Sequence, residues 1–118
     1  MDRPCGQKKE DGMSDTDKII TLMQFARKAG KLVCGTEATM RSVSHHQIRL
    51  VIVAADAAER TIKRMEQFLE LSEQAPQMIR LGNTENISAA LGLPKTAVFG
   101  VSEKNFALKM KEYWAADK

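Results

Sequence analysis

A chain of 118 residues is long enough for one hydrophobic core and too short for two, so the sequence predicts a single domain. Its hydrophobic fraction of 43% and charged fraction of 28% are ordinary for a globular protein, and it lacks the roughly 18-residue apolar run of a membrane span. The two cysteines have no CxxC spacing, so neither a disulfide nor a zinc site is predicted. The N-terminus has no apolar signal core, so secretion is not predicted and a cytoplasmic location is expected.

The positive charge of the chain is concentrated in one window. The net charge is +3, whereas residues 25–49 hold five Lys or Arg and one Glu, which leaves an excess of +4 there. A clustered basic patch favours a nucleic-acid ligand more than an evenly charged surface does. A solvated helix face explains a patch of this size equally well, so the charge alone does not decide the function.

The chain begins with a polar segment and a first amphipathic helix. Residues 1–12 have no hydrophobic periodicity and are predicted to be a disordered tail before one domain over residues 13–118. Ser14 and Asp17 have capping-box spacing, and Gly30 stands where a left-handed C-terminal cap is expected. The helical spacing predicts that its apolar residues face the core: Ile19, Ile20, Leu22, Met23, Phe25 and Ala26.

A short strand and a second helix follow the turn at Gly30. Leu32–Cys34 is predicted as the strand, and Thr36–Ser44 as the helix, which opens immediately after Gly35. The residues of this helix predicted to be buried are Ala38, Met40 and Val43.

Residues 50–55 form a continuous apolar run rich in β-branched side chains, which predicts a central strand covered on both faces. Asp56 is predicted to end this strand and to cap the next helix, with Glu59 completing a capping box. That helix is expected to reach about Ser72, with its charged residues facing outward. The apolar residues assigned to its core side are Ile62, Met65, Phe68, Leu69 and Leu71.

The last part of the chain continues the alternation of helices and strands. Gln77–Leu81 is predicted as a strand, a short helix is expected to end at Leu91, and residues 97–101 are predicted as an internal strand. Ser102 is predicted to cap the last helix. The residues of that helix assigned to the core are Phe106, Leu108, Met110 and Trp114. Regular alternation predicts an α/β fold, a three-layer α/β/α sandwich with a small mixed four-stranded sheet.

The glycine-led start of the second helix is the first candidate binding site. Gly35 lets the backbone of another molecule come close, and the first N–H groups of the helix form an anion site because they have no intrahelical partners. Thr36 is predicted to cap the helix or to contact a phosphate. Lys28, Lys31 and Arg41 are candidate phosphate ligands in the same basic stretch. RNA is therefore the predicted partner.

Other residues with chemical potential have simpler explanations. Cys34 lies beside a helix start, which can lower the pKa of a thiol, but a buried apolar role is more typical of cysteine. The pair His45-His46 has no further ligand at metal spacing and is predicted to be solvated. The sequence contains no phosphate-binding glycine loop, nucleophile elbow or metal cluster, so no enzymatic activity, cofactor or metal is predicted.

Four segments of the chain resemble a known family. They are FARKAGKLVCGTEATMRSV, LVIVAADAAERT, ENISAALGLPKTAVFGV and SEKNFALKMKEYW, and they occur in the family's order between about Asp17 and Trp114. The chain resembles the kink-turn-binding superfamily of large-subunit ribosomal proteins and, within it, the short bacterial YlxQ-like branch. This resemblance implies an α/β/α fold, binding to structured RNA such as ribosomal RNA, and a role linked to the ribosome or to translation.

The resemblance also implies two places where the RNA is held. One is the start of the second helix, which here contains Gly35, Thr36, Glu37 and Arg41. The other is the loop before the last strand, over residues 92–96, which contains Leu93, Pro94, Lys95 and Thr96. A monomer without a membrane or metal partner is expected.

The chain departs from the family pattern within both places. Ala38 stands where the family has an acidic or amide residue that reads a guanine edge, and alanine has no side-chain hydrogen-bonding group. Glu37 stands where Asn or Lys is usual, and Pro94 and Lys95 stand where an apolar clamp is usual, in a loop one residue shorter. The alternative hypothesis is therefore a protein-interaction or regulatory domain that has kept the fold and lost specific RNA binding.

Overall fold

The computed structural model describes residues 15–73 and 75–116. The predicted tail and the predicted cap at Ser14 lie outside these ranges. The helices and strands alternate in the predicted order: α1 Asp15–Lys28, β1 Leu32–Cys34, α2 Thr36–Ser44, β2 Leu50–Ala54, α3 Glu59–Leu71, β3 Gln77–Leu81, α4 Thr84–Leu91, β4 Val98–Val101 and α5 Lys104–Ala116. The α/β fold class is confirmed.

The four strands form one mixed sheet in the order β1-β4-β2-β3. β2 and β3 are parallel, and β4 runs antiparallel to both β2 and β1. As a result β1, β2 and β3 all end at the edge of the sheet where β4 begins, which we call the upper edge. The helices α2, α3 and α4 follow those three strands, so all of them begin at the upper edge.

The sheet is covered on both faces, as the three-layer prediction requires. All five residues of β2 are buried, and alternate side chains point to opposite faces. Leu50, Ile52 and Ala54 join a cluster with α1, α4 and α5, whereas Val51 and Val53 join a second cluster with α2 and α3. Each helical layer therefore has its own apolar contact with the central strand.

The second helix lies close to the sheet because β4 contains Gly100. A Cβ atom at Gly100 would lie 2.8 Å from Cδ1 of Ile48 and 3.2 Å from Cγ2 of Thr39. Thr39 and Val43 are the buried residues of α2. The prediction that Ala38 is buried is wrong, because the residue that meets the glycine of β4 is its neighbour Thr39, and Ala38 is only half-buried.

The start of α3 differs from the prediction. This helix begins at Glu59 after Ala58, which provides no side-chain cap, so the predicted capping box at Asp56 is wrong. Asp56 Oδ1 instead accepts hydrogen bonds from the N–H and the hydroxyl of Thr84, both at 2.8 Å, at the start of α4. The carboxylate therefore accepts hydrogen bonds at the start of a helix that begins 28 residues later in the chain.

The start of α5 also differs from the prediction. Ser102 donates its hydroxyl to the carbonyl of Lys31 at 3.1 Å and does not cap the helix. The carboxylate of Glu103 accepts from the N–H groups of Asn105 and Phe106 instead. The residue next to the predicted cap therefore performs the capping.

Three apolar side chains assigned to the core are exposed: Phe25 at 54%, Leu71 at 89% and Leu108 at 47%. Each lies on a helix whose other apolar residues are buried, such as Met23 in α1 and Met110 in α5. The apolar stripe of these helices is therefore wider than the surface against which they pack. None of the helices in the described ranges is long and apolar enough to span a bilayer.

Candidate nucleic-acid interface

The junction between β1 and α2 depends on Gly35. Its φ of 104° and ψ of 151° lie in a region that is essentially restricted to glycine. Its N–H donates to the carbonyl of Val98 at 2.8 Å, and its carbonyl accepts from the N–H of Thr39 at 3.0 Å. Apart from Gly35 and its two chain neighbours, no heavy atom of the described residues lies within 4 Å of the position that a Cβ would take, so the glycine faces open space. The chain therefore needs glycine here for its backbone conformation, and the surface beside it is accessible.

The start of α2 has no side-chain cap. Gly35 is the N-cap residue, and Thr36 is the first helical residue and not the predicted cap. The first intrahelical bond of this turn is the one donated by the N–H of Thr39, so the N–H groups of Thr36, Glu37 and Ala38 have no intrahelical acceptors. These donors and the positive end of the helix dipole form a small anion-binding surface.

Glu37 in the first turn of α2 is paired with Arg64 of α3. The guanidinium Nη2 of Arg64 lies 3.0 Å from Oε2 of Glu37, and both side chains are largely exposed. This pairing offsets the negative charge of Glu37 beside the open helix start. Arg64 was not among the predicted site residues, since the sequence shows it only as one of several charges on the outer side of α3. The approach of α2 to α3 is what brings it to the site.

The second predicted segment, residues 92–96, is fixed by hydrogen bonds to the buried side chain of Ser88 in α4. The Oγ of Ser88 accepts from the N–H of Thr96 at 2.8 Å and donates to the carbonyl of Thr96 at 3.1 Å. The Thr96 hydroxyl donates to the carbonyl of Pro94 at 2.8 Å. Leu93 packs partly against the core, which leaves Pro94 and Lys95 exposed at the tip of the loop. The loop therefore presents a fixed turn with one cation.

Both segments lie at the upper edge. The Gly35 N–H bond to Val98 places the start of α2 beside the first residue of β4, two residues after the loop. Asp56 lies at the same edge, where the hydroxyl of Thr84 and then its N–H hold the pKa of the carboxyl below its ordinary value. The positive charge of Lys95 lowers this pKa further. The structure thus brings together at this edge Gly35, Thr36, Glu37, Leu93, Pro94, Lys95 and Thr96. Arg41 is not at this edge, because it lies in the last turn of α2.

Lys28 and Lys31 are not part of this group. The carbonyl of Lys31 accepts from the N–H of Ser102 at 2.9 Å, after β4 has ended, so Lys31 lies at the opposite edge of the sheet. Lys28 lines a groove between the ends of α1 and α4. The basic stretch in the sequence is therefore divided, with Lys31 at the opposite edge of the sheet and Lys28 in the groove beside α4.

The remaining chemical candidates do not form a reactive centre. Burial raises the pKa of the Cys34 thiol, and the charge and hydrogen bond of Arg27 oppose this only in part. A thiol with a raised pKa is a poor nucleophile, which favours the apolar role for Cys34. Within residues 15–73 and 75–116, no three His, Cys, Asp or Glu side chains are grouped to hold a metal ion.

Comparisons with known proteins agree with this architecture. The sequence profile of the ribosomal protein L7Ae/L30e/S12e/Gadd45 family matches residues 17–110. The chain is 33% identical over 95 residues to the RNA-binding protein YlxQ of Enterococcus faecium, covering 80% of this chain and 89% of that protein.

Two solved structures have the same fold. A Bacillus halodurans protein of unknown function superposes with a TM-score of 0.75 and 26% identity, covering 81% of this chain and 95% of that one. A Giardia lamblia 15.5kD RNA binding protein superposes with a TM-score of 0.70, covering 89% of each chain, and its 15% identity speaks for the fold alone. By profile, identity and fold, this chain belongs to the ribosomal protein L7Ae/L30e/S12e/Gadd45 family.

Proposed function

We propose that this protein binds structured RNA without catalysing a reaction on it. The observation that carries the proposal is the uncapped start of α2 behind Gly35, which lies at the same edge of the sheet as the loop over residues 92–96. A relative at 33% identity is named an RNA-binding protein, and the family is one of non-catalytic proteins. The recognised RNA is a kink-turn-like motif, and the setting is the cytoplasm, in association with the ribosome or translation.

The charges of α2 and of the upper edge support contact with an RNA backbone. Arg41 and Lys95 are exposed and have no ion pair with another described residue. The two acids nearby are engaged, Glu37 with Arg64 and Asp56 with the start of α4. A phosphate at the start of α2 therefore meets three N–H donors of the helix near Lys95, and Arg41 in the last turn of α2 is available to a neighbouring phosphate, while the negative charges are partly offset.

The side chains at the start of α2 favour recognition of shape over recognition of bases. Ala38 occupies the third position of the helix and has no atom that can bond a base edge. Backbone N–H groups and cations fix the position of a nucleic acid but carry little sequence information. We therefore infer that a bent phosphate backbone is recognised more strongly than any particular base pair.

The test is a titration against a kink-turn RNA and a straight duplex of equal length at two salt concentrations. The parent is expected to prefer the kink-turn RNA, and Arg41→Ala should weaken binding to both RNAs and lower the salt slope by about one. Lys109→Ala is the matched control, because it removes a cation from α5 that is also exposed. No binding to either RNA at low salt would favour the alternative, a protein-interaction domain.

A further inference from the structure

A groove at the end of α1 lies outside the two segments of the proposed interface. It has a volume of about 220 Å³ and is lined by Gln24, Phe25, Arg27 and Lys28 of α1 and by Ala90 and Leu91 of α4. Phe25 is 54% exposed, while Met23 and Ala26 on the same helix are fully buried. The ring therefore contributes little to the core and presents an apolar surface to the solvent.

The groove combines this aromatic ring with positive charge. Arg27 and Lys28 lie two and three residues after Phe25 in the last turn of the helix, and none of the lining residues is acidic. Cations at a helix C-terminus also complement the helix dipole, which by itself explains Arg27 and Lys28. It does not explain why an exposed phenylalanine and a concave surface lie beside them. An aromatic face with adjacent cations is the combination that holds an unpaired nucleotide, because the base stacks and the phosphate is neutralised.

The groove is continuous with both segments of the proposed interface. Ala90 and Leu91 end α4 and lead directly into the loop over residues 92–96. On the other side, the guanidinium of Arg27 is within hydrogen-bonding reach of Cys34, the residue before Gly35. The amide of Gln24 donates to the carbonyl of Ala90 at 2.8 Å, which ties the two walls together. An RNA strand leaving the upper edge can therefore pass directly into the groove.

We propose that this groove binds one unpaired nucleotide that flanks the folded RNA motif, with its base stacked on Phe25 and its phosphate between Arg27 and Lys28. The inference rests on the proposed function, since the flanking nucleotide reaches the groove only when RNA occupies the upper edge. The volume is below the roughly 300–1,000 Å³ of sites that enclose a drug-sized ligand, which suits a single base. Stacking on a ring accepts any base, so the preference is for an unpaired nucleotide and not for a sequence.

The experiment compares one folded kink-turn RNA with blunt ends and the same RNA with a four-nucleotide single-stranded extension at its 5′ or 3′ end. The parent protein is expected to bind one of the extended RNAs about fivefold to a hundredfold more tightly than the blunt RNA, the range of one stacked base. Phe25→Ala should abolish this difference and leave the affinity for the blunt RNA unchanged, whereas Phe25→Tyr should retain it. Leu108→Ala, which truncates another exposed apolar side chain, should behave as the parent does.

A fluorescence measurement adds a readout that a purely structural role of Phe25 would not produce. In Phe25→Trp the new indole should be quenched by the extended RNA and not by the blunt RNA, and in Leu108→Trp by neither. Equal affinity of the parent for blunt and extended RNAs, or an unchanged difference in Phe25→Ala, would overturn the inference while the proposed function stands. Failure of the blunt RNA to bind would overturn both.

Discussion

Two helices that begin at the same edge of the sheet have opposite starts. At α4, Asn83 Oδ1 accepts from the N–H of Asn86 at 2.8 Å, and Asp56 accepts from the N–H and hydroxyl of Thr84. At α2 the N-cap is Gly35, which brings no side chain to the exposed N–H groups. Both starts carry the same positive end of a helix dipole. The fold thus supplies an internal acceptor to α4 and leaves α2 available to an acceptor from outside.

The backbone explains why the two starts differ. Asn83 has an extended conformation with φ of −131°, which any residue adopts and which directs a side chain to the helix. Gly35 has φ of 104°, where a residue with a Cβ is strained, so a capping side chain has no suitable place there. The open start of α2 is therefore a consequence of how the chain leaves β1.

The largest effect is expected from removing the glycine that keeps α2 open. Gly35→Val should lower the free energy of unfolding by about 1–3 kcal/mol, because the backbone conformation is strained for valine, and should abolish RNA binding. Chemical denaturation and an RNA titration measure the two effects. Gly30→Ala is the control, because Gly30 also has a positive φ, 74°, but lies in the turn before β1.

Because Gly35→Val acts on both folding and binding, binding is compared per folded molecule. Gly30→Ala is expected to lose stability and keep the affinity for RNA. If folded Gly35→Val binds RNA as the parent does, the start of α2 is not where RNA is held.

The next effect tests the contrast by placing a carboxylate at the third position of α2, next to Glu37. Ala38→Glu supplies an acceptor for a guanine edge, and a good base contact is worth about 1–3 kcal/mol on the scale known for DNA. The affinity for kink-turn RNA should therefore rise relative to a duplex. Ala38→Leu, which lengthens the side chain without an acceptor, should give no gain in a parallel titration. A loss of affinity for both RNAs in Ala38→Glu would show that this turn contacts phosphates only.

A smaller effect is expected from opening the start of α4. Asp56→Ala removes the acceptor of both Thr84 bonds, so the protein should become less stable at neutral pH. The pKa of Asp56 is lowered in the folded protein from an ordinary value of 3.8. Its contribution is therefore complete above that value and disappears as the pH falls through the lowered pKa. Unfolding curves of the parent and Asp56→Ala should converge at acidic pH, and a gap independent of pH would contradict this role.

The smallest effect is expected from breaking the ion pair between Glu37 of α2 and Arg64 of α3. Arg64→Ala should change the free energy of unfolding by less than about 1 kcal/mol, since the Glu37–Arg64 pair is exposed. It should weaken RNA binding, because the carboxylate of Glu37 is then no longer offset beside the helix start. Adding Glu37→Gln to Arg64→Ala should recover part of the affinity. An unchanged affinity in the single variant would mean that RNA passes on the other side of α2.

Local sequence patterns predicted the elements that depend on neighbouring residues. The bounds of β1, α2 and β3 agree with the structure, and Gly30 has the expected left-handed conformation. The apolar run at residues 50–55 predicted a buried central strand, because only a strand covered on both faces tolerates continuous apolar residues. The family resemblance indicated which glycine-led helix start and which loop are the candidate RNA contacts.

The partners of particular side chains were decided by the tertiary structure alone. Asp56 and Glu59 have the spacing of a capping box, but the carboxylate of Asp56 lies closer to the start of α4, which another strand brings to the same edge. Helical spacing places Phe25 and Leu71 on the apolar face of their helices. It does not show how far the surface packed against that face extends, and both side chains lie beyond that surface. The sequence determines which groups each element carries, and the packing of the elements against one another determines which of these groups meet and which remain exposed.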